Sequence, residues 1–152
     1  MRSKKNKDKA IDGFLKWSPW IAVVITAICK EKTVRTAKQT IVTAAGCVAL
    51  QYVVVETLKK VVNERRPHSF KTDSFPSGHT SASFAGAEML RTELKHSNPV
   101  LSYGGYVLAI ITGIRRLKER KHWFQDIAGG TVLGIISTYT SKKIFSHFYK
   151  SN

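Results

Sequence analysis

The chain has 152 residues, a length that suits one folded domain and would leave two short halves if it were divided. Lys and Arg number 25 against 10 Asp and Glu, so the formal net charge is +15, and we expect an anionic partner such as nucleic acid, an anionic lipid surface or a phosphorylated substrate. The spacing of Cys29 and Cys47 matches neither a CxxC redox pair nor a zinc site, which argues against both classes.

Five apolar stretches follow a basic N-terminal segment over residues 1–13 and alternate with basic loops. The stretches are Phe14–Cys29, Thr40–Val55, Thr80–Leu90, Val100–Ile114 and Ile127–Tyr139. Each is shorter than the about 20 apolar residues that a solitary membrane span needs. Hydropathy alone therefore leaves a soluble helical bundle open beside five membrane crossings. No A-x-A cleavage pattern follows the first stretch, so we expect no secretory signal.

Small residues at four-residue spacing favour the membrane alternative. The pairs are Ser81 with Ala85, Ala82 with Gly86, Ser83 with Ala87, and Gly130 with Gly134. Small side chains at this spacing let helix backbones approach closely within lipid. We therefore predict an all-α, membrane-embedded bundle of about five helices that forms one domain over residues 1–152. Its short loops place the end of the second helix, the start of the third, the end of the fourth and the start of the fifth on one side.

A first cluster of basic residues, Lys59-x6-Arg66-Pro67, closes the second predicted helix. Proline disfavours helix in the residue before it, so the chain turns away at this point. Lys59 would offer a phosphate a compact ammonium, and Arg66 would offer it a forked guanidinium. The alternative is that these basic residues flank a membrane span or complement the helix dipole.

A second cluster, Pro76-Ser77-Gly78-His79, opens the third predicted helix. Proline suits a first helical turn, and Gly78 lets the backbone come close to a ligand. Free N–H groups of Ser77, Gly78 and His79 would then point at an anion together with the helix dipole. The Ser77 hydroxyl adds a donor, and His79 is a candidate acid because imidazole titrates in the needed range. A cap or a solvated loop histidine is the alternative for His79.

A third cluster runs from Arg116 through His122 to Asp126. His122 and Asp126 are four residues apart, so a helix starting here would stack them on one face. The carboxylate can hold one ring nitrogen protonated and leave the other as a nucleophile. The alternative is a surface His–Asp pair.

Taken together, the clusters resemble the three motifs of the type 2 phosphatidic acid phosphatase superfamily, which also includes bacterial acid phosphatases and vanadium haloperoxidases. The pattern K-x6-RP, PSGH and SR-x5-H-x3-D is matched from Lys59 to Asp126, except that Arg115 stands in place of the serine. The 59–126 region would therefore carry the catalytic motifs of a phosphoric monoester hydrolase. The arginine removes a hydroxyl donor from the third motif and adds a cation.

The resemblance implies a role for each matched residue. His122 attacks phosphorus and forms a phosphohistidine, Asp126 orients its imidazole, and His79 protonates the departing oxygen. The phosphate-binding residues would be Lys59, Arg66, Ser77, Gly78 and Arg116. This chemistry needs neither a metal ion nor a cofactor, because the cations already supply the positive field.

The expected substrate is a lipid phosphate held at the membrane. Candidates are phosphatidic acid, phosphatidylglycerol phosphate, polyprenyl diphosphates and lipid A. The expected location is a bacterial inner membrane, with the side of the active site left open, and we expect no nucleic acid and no obligate protein partner.

Three alternatives remain. One is an acid phosphatase of the same superfamily that acts on soluble substrates. Another is a non-catalytic basic protein that binds nucleic acid or anionic lipid. The third is a catalytically inactive family member, for which Arg115 is the hint.

Overall fold

The computed structural model describes residues 2–30 and 34–150 of the chain. Within these ranges the chain forms five α-helices and no β-strand. The helices are α1 (Arg2–Lys30), α2 (Val34–Val62), α3 (Gly78–Leu94), α4 (Pro99–Lys118) and α5 (Phe124–Lys150). The expected all-α bundle of about five helices is therefore confirmed.

Every helix is longer than the apolar stretch that predicted it. The largest extension at a single end is in α1, which begins at Arg2 although its apolar stretch begins at Phe14. Lys, Arg, Glu and Gln are good helix formers, so a polar flank continues a helix that hydropathy alone would end. The basic N-terminal segment is thus helical from Arg2 onward and reaches the end of the bundle at which the motifs lie.

Helix α3 is the centre of the bundle and contacts all four other helices. All residues from Thr80 to Leu90 are buried, so α3 presents no face to the surroundings along this stretch. Trp20 of α1 joins this core: its indole N–H donates a hydrogen bond to the Ala82 carbonyl at 2.8 Å. The second motif begins α3, and the core therefore holds that motif in place.

Helices α3 and α5 approach each other closely at two glycines of α5. A Cβ atom on Gly130 would lie 2.7 Å from the Ser77 carbonyl oxygen, and a Cβ on Gly134 would overlap the α3 backbone beside Ser81 and Ala85. No larger residue fits without moving one backbone away from the other. The Gly130-x-x-x-Gly134 spacing therefore packs α5 against α3, as the sequence predicted.

Two helices have the length and composition to cross a membrane, counted over the part of the chain that the structure describes. The candidate spans are Asn6–Cys29 in α1 and Thr36–Val62 in α2. Large apolar side chains also face outward from α1, α4 and α5, including Phe14, Ile21, Ile28, Val107, Ile110 and Ile136. Lipid would solvate such surfaces at little cost, whereas soluble monomers rarely expose broad apolar patches.

Candidate active site

The three motifs meet at one end of the bundle, and hydrogen bonds connect them directly. The Ser77 N–H donates to the Asp126 carbonyl at 3.0 Å, which joins the second motif to the third. The Trp123 indole N–H donates to the Arg65 carbonyl at 2.8 Å, which joins the third motif to the first. The predicted convergence of four helix ends on one side is therefore confirmed.

A buried dyad of His122 and Asp126 lies at this meeting point. The two side chains are 4% and 0% exposed, and Nδ1 of His122 lies 3.2 Å from Oδ2 of Asp126. The same oxygen accepts hydrogen bonds from the Ser74 hydroxyl at 2.5 Å and from the Trp123 N–H at 2.8 Å. The carboxylate is fixed by these donors, and a proton held on Nδ1 would leave Nε2 of His122 with a free lone pair.

The electrostatic surroundings of His122 favour its neutral form. Burial is the largest cause that lowers the pKa of His122 below its ordinary value, and the positive charge of Arg66 lowers it further. The Asp126 carboxylate acts in the opposite direction, but the net pKa shift is downward. A neutral imidazole is the form that can attack phosphorus, so this environment suits a nucleophile.

The Ser77-Gly78-His79 segment forms the start of α3 with a different local structure from the one expected. Ser77 is the N-cap: it is fully buried, and its hydroxyl lies 2.9 Å from that of Thr80. We had expected the Ser77 N–H to be free for an anion. It is not free, because it donates a hydrogen bond to the Asp126 carbonyl. Pro76 precedes the cap instead of lying in the first turn, and its peptide bond is cis. The N–H groups of Gly78 and His79 lie in the first turn, where a helix offers no partner.

Two of the predicted phosphate-binding cations each pair with a nearby carboxylate. Lys59 donates to Glu56 at 2.7 Å, and Arg66 makes two parallel bonds to Asp73 at 2.8 and 3.0 Å. Burial alone would raise the pKa of the Asp73 carboxyl, but the hydrogen bonds and charge of Arg66 outweigh it and hold that pKa below its usual range. A Cβ on Gly78 would lie 3.7 Å from the Lys59 ammonium, so this cation stands beside the start of α3.

The third predicted cation, Arg116, pairs with Asp12 of α1 in a larger buried cluster. The Arg116 and Asp12 side chains are 5% and 6% exposed and form an ion pair. Asp12 also accepts from Arg115 at 3.2 Å and from Lys121 at 3.1 Å, and Arg115 donates to Glu119 at 2.7 Å. The residue that departs from the family pattern, Arg115, is therefore held by two carboxylates.

Two cavities adjoin the candidate catalytic groups. A cavity of about 650 Å³ between α1 and α2 is lined at its polar end by Lys16, Lys59, Gly78 and His79. A smaller cavity of about 300 Å³ is lined by His122. The two imidazoles line different cavities. Burial is the largest cause that lowers the pKa of His79 to about 3, and the charges of Arg116 and Lys16 lower it further.

Motif reasoning missed four polar residues that the structure places at the site. They are Asp12, Lys16, Asp73 and Ser74. Asp73 and Ser74 directly precede the second motif, which was the available signal for them. Asp12 lies near the end of the basic N-terminal segment and Lys16 lies four residues later in the first apolar stretch, so helical periodicity would have placed them on one face. Within residues 2–30 and 34–150, no group of three or more His, Cys, Asp or Glu side chains is arranged to hold a metal ion.

Comparison with known proteins places this arrangement in a family. The family model described as PAP2 superfamily matches residues 40–150. Lipid A 1-phosphatase of Porphyromonas gingivalis is 35% identical over 88 residues, which are 58% of this chain and 20% of that protein. Probable lipid phosphate phosphatase 4 of Arabidopsis thaliana is 31% identical over 112 residues, which are 66% of this chain and 34% of that protein. The chain thus spans between about a fifth and about a third of the length of these relatives.

Solved structures share the fold. LpxE of Aquifex aeolicus has a TM-score of 0.64 at 22% identity, with 88% of this chain and 86% of that chain covered. A transmembrane PAP2-type phosphatidylglycerolphosphate phosphatase of Bacillus subtilis has a TM-score of 0.50 at 20% identity, with 97% and 88% covered. Since the matched region contains all three motifs and most of the bundle, this chain belongs to the PAP2 superfamily.

Proposed function

We propose that this protein is an integral membrane lipid phosphatase that hydrolyses phosphate monoesters or diphosphates through a phosphohistidine at His122. The observation that carries the proposal is the buried His122–Asp126 dyad, which is hydrogen-bonded to the segment that holds His79. Membership of the PAP2 superfamily supports it, as does the similarity to lipid phosphatases of Porphyromonas gingivalis and Arabidopsis thaliana.

The first step forms the covalent intermediate. Nε2 of His122 attacks phosphorus, an N–P bond forms, and the bond from phosphorus to the ester oxygen breaks. His79 gives its proton to that oxygen, so an alcohol leaves. A bound phosphate favours a protonated His79, because its negative charge stabilises the imidazolium beside it. Asp126 stabilises the positive charge that develops on the attacking imidazole.

Cations and backbone donors stabilise the charge on the phosphoryl oxygens. Lys59, Arg66 and Arg116 approach from the ends of α2 and α4, and the Gly78 N–H points outward from the first turn of α3. Donors fixed before the reaction need no reorganisation as charge develops, which makes this kind of stabilisation effective. The Ser77 hydroxyl caps α3 and is hydrogen-bonded to the Thr80 hydroxyl. We retain the Ser77 hydroxyl as a donor to phosphate, which would then compete with Thr80 for it.

The second step releases phosphate. The now neutral His79 takes a proton from water, and the resulting hydroxide attacks phosphorus as the N–P bond breaks. Inorganic phosphate leaves, His79 is protonated again, and His122 returns to its neutral form. Every proton and bond is then accounted for without a metal ion.

The walls of the larger cavity favour a lipid as the leaving alcohol. Beyond Lys59 and His79, the cavity continues between α1 and α2 along the side chains of Trp17, Val48 and Val55. An acyl or prenyl chain would lie against this apolar surface while its phosphate stays at the polar end. We infer a location in the inner membrane of a bacterium.

Phosphate release by the detergent-solubilised protein tests this function. The panel would contain phosphatidic acid, phosphatidylglycerol phosphate, lipid A and a prenyl diphosphate, each assayed with EDTA present. We expect release from at least one lipid that persists with EDTA and is lost in H122A. Loss of release with EDTA would contradict metal independence.

The panel also separates the alternatives. Preference for a nucleotide or sugar phosphate, together with extraction without detergent, would favour the acid phosphatase of soluble substrates. Steeply salt-dependent DNA binding without phosphate release would favour the non-catalytic binding protein.

A further inference from the structure

Lys16 is a cation at the proposed site that none of the three motifs contains. It lies on α1, outside the 40–150 region matched by the family, and lines the larger cavity together with Lys59, Gly78 and His79. Its charge also acts on Lys59, on Arg116 and on His79, which places it among the site's positive charges.

The ammonium of Lys16 has no carboxylate partner within ion-pair distance among residues 2–30 and 34–150. Its recorded contact is with the face of the Trp17 indole, whose centroid is 4.6 Å away. Lys59 and Arg116, by contrast, each form an ion pair with a carboxylate. Glu56 lines the same cavity and attracts Lys16, but its carboxylate is hydrogen-bonded to Lys59. Cations brought together repel one another, so Lys16, which has no ion pair of its own, favours an anion beside it.

The residues that line the cavity also indicate on which side of the scissile bond Lys16 lies. Lys16 shares its cavity with His79, the proposed acid for the leaving group, whereas His122 lines the other cavity. The apolar walls begin next to Lys16 at Trp17 and continue toward Val48. Lys16 is therefore on the side of the scissile bond where the lipid lies.

We propose that Lys16 binds a second phosphate group, located between the transferred phosphoryl group and the lipid, as in a lipid diphosphate. This inference rests on the proposed function. His122 would attack the terminal phosphorus, the bond to the bridging oxygen would break, and a lipid monophosphate would leave with its charge neutralised by Lys16. A lipid monophosphate has no group at this position, so its hydrolysis would not use Lys16. Lys16 is thus a specificity-determining residue.

The test compares farnesyl diphosphate with farnesyl phosphate, which share one lipid chain and differ by one phosphate. K16M should lower kcat/KM for the diphosphate about tenfold more than kcat/KM for the monophosphate, the effect of one charge-assisted hydrogen bond. K16R keeps the positive charge and should therefore hydrolyse the diphosphate as the wild type does. The matched control is K60M, which removes an exposed cation at the end of α2 and should leave both substrates unchanged.

An equal fall for both substrates, or no change for either, would overturn the inference. Thermal unfolding with inorganic pyrophosphate or orthophosphate tests it without turnover. Pyrophosphate should stabilise the wild type more than orthophosphate does, and K16Q should remove the difference, whereas a difference kept in K16Q would refute the role of Lys16. A wild type that releases phosphate from no lipid, including those of the panel above, but shows this Lys16-dependent stabilisation would refute the proposed function alone.

Discussion

Asp12 and Arg116 form a buried ion pair that connects α1 to the end of α4, with side chains 6% and 5% exposed. Arg116 belongs to the third motif, whereas Asp12 lies outside all three. A buried cation is costly without a partner, and Arg115 and Lys121 place two further cations on the same carboxylate. Helix α1 is therefore part of the site, since its carboxylate makes three closely spaced cations tolerable.

Replacing Asp12 with asparagine tests this relationship. D12N keeps the side-chain shape but leaves the buried Arg116 with only the Glu119 carboxylate, 4.0 Å away, so we expect the free energy of unfolding to fall by about 3 kcal/mol. We also expect kcat/KM for a lipid phosphate to fall about tenfold or more, because Arg116 loses its fixed position. Thermal unfolding in detergent and steady-state kinetics measure the two effects.

The control is D8N, one helical turn earlier on α1, where no ion pair is recorded among the described residues. D8N should behave like the wild type. An unchanged D12N, or equal losses in D12N and D8N, would show that the ion pair does not organise Arg116.

The loss of rate on removing the proposed acid, His79, should increase with the basicity of the leaving group. H79A should slow turnover of an alkyl phosphate about a hundredfold more than that of p-nitrophenyl phosphate, whose phenolate leaves without a proton. Parallel kcat measurements on the two esters provide the test. Equal slowing of both would remove His79 from the role of acid.

The pH profile should reflect the lowered pKa of His122. Its neutral form attacks, so kcat/KM should fall as the pH drops through this pKa, and the midpoint of that acid limb should lie below 6.5. D126N removes a carboxylate that raises the pKa of His122, so its acid limb should move to lower pH while kcat falls about a hundredfold or more.

The substrate ionises in the same way in the wild-type and D126N profiles. Any difference between the two profiles is therefore caused by ionisation of the enzyme. An acid limb that stays in place, or that moves to higher pH in D126N, would contradict the assignment of His122 and Asp126.

The contact between α3 and α5 should be intolerant of a single methyl group at Gly130. A Cβ there would meet the Ser77 carbonyl at 2.7 Å, and backbone cannot move aside as a flexible side chain can. We expect G130A to lower the free energy of unfolding by about 2 kcal/mol and to reduce activity, because Ser77 precedes the proposed acid. Circular dichroism melts in detergent would measure the change.

The matched control is G104A on α4, where a Cβ would approach nothing closer than 4.0 Å. Alanine is the better helix former, so G104A should leave the protein as stable as the wild type or slightly more stable. Equal destabilisation in the two variants would show that close packing at Gly130 is not the cause.

Sequence reasoning located each helix and some of the ends, such as the start of α4 at Pro99, but it missed the polar extensions at other ends. The apolar stretch Ile127–Tyr139 lies within α5, which extends from Phe124 to Lys150. Burial selects apolar residues only where a helix packs, while polar flanks remain helical through their backbone hydrogen bonds and leave no hydropathy signal. The four-residue spacing of Gly130 and Gly134 was informative because it reflects a steric need and not hydropathy.

The motifs located most of the candidate site because their spacing encodes direct chemistry. His122 and Asp126 were predicted to stack on one face of a helix; they form a hydrogen bond, but α5 begins at Phe124 and His122 precedes it. The partners that orient these groups obey no such spacing: Asp12 is far from Arg116 in sequence, and only tertiary packing brings α1 against α4. The Ser77 N–H was assigned to an anion because no sequence pattern reveals that Asp126 accepts it.

Trapping the phosphoenzyme tests the central claim most directly. Wild-type protein mixed with a ³²P-labelled lipid phosphate and quenched with alkali should carry label that is stable in base and labile in acid, as expected of an N–P bond. H122A should carry none while its thermal unfolding stays close to that of the wild type. Label retained in folded H122A, or no label in a wild type that releases phosphate, would contradict covalent catalysis by His122.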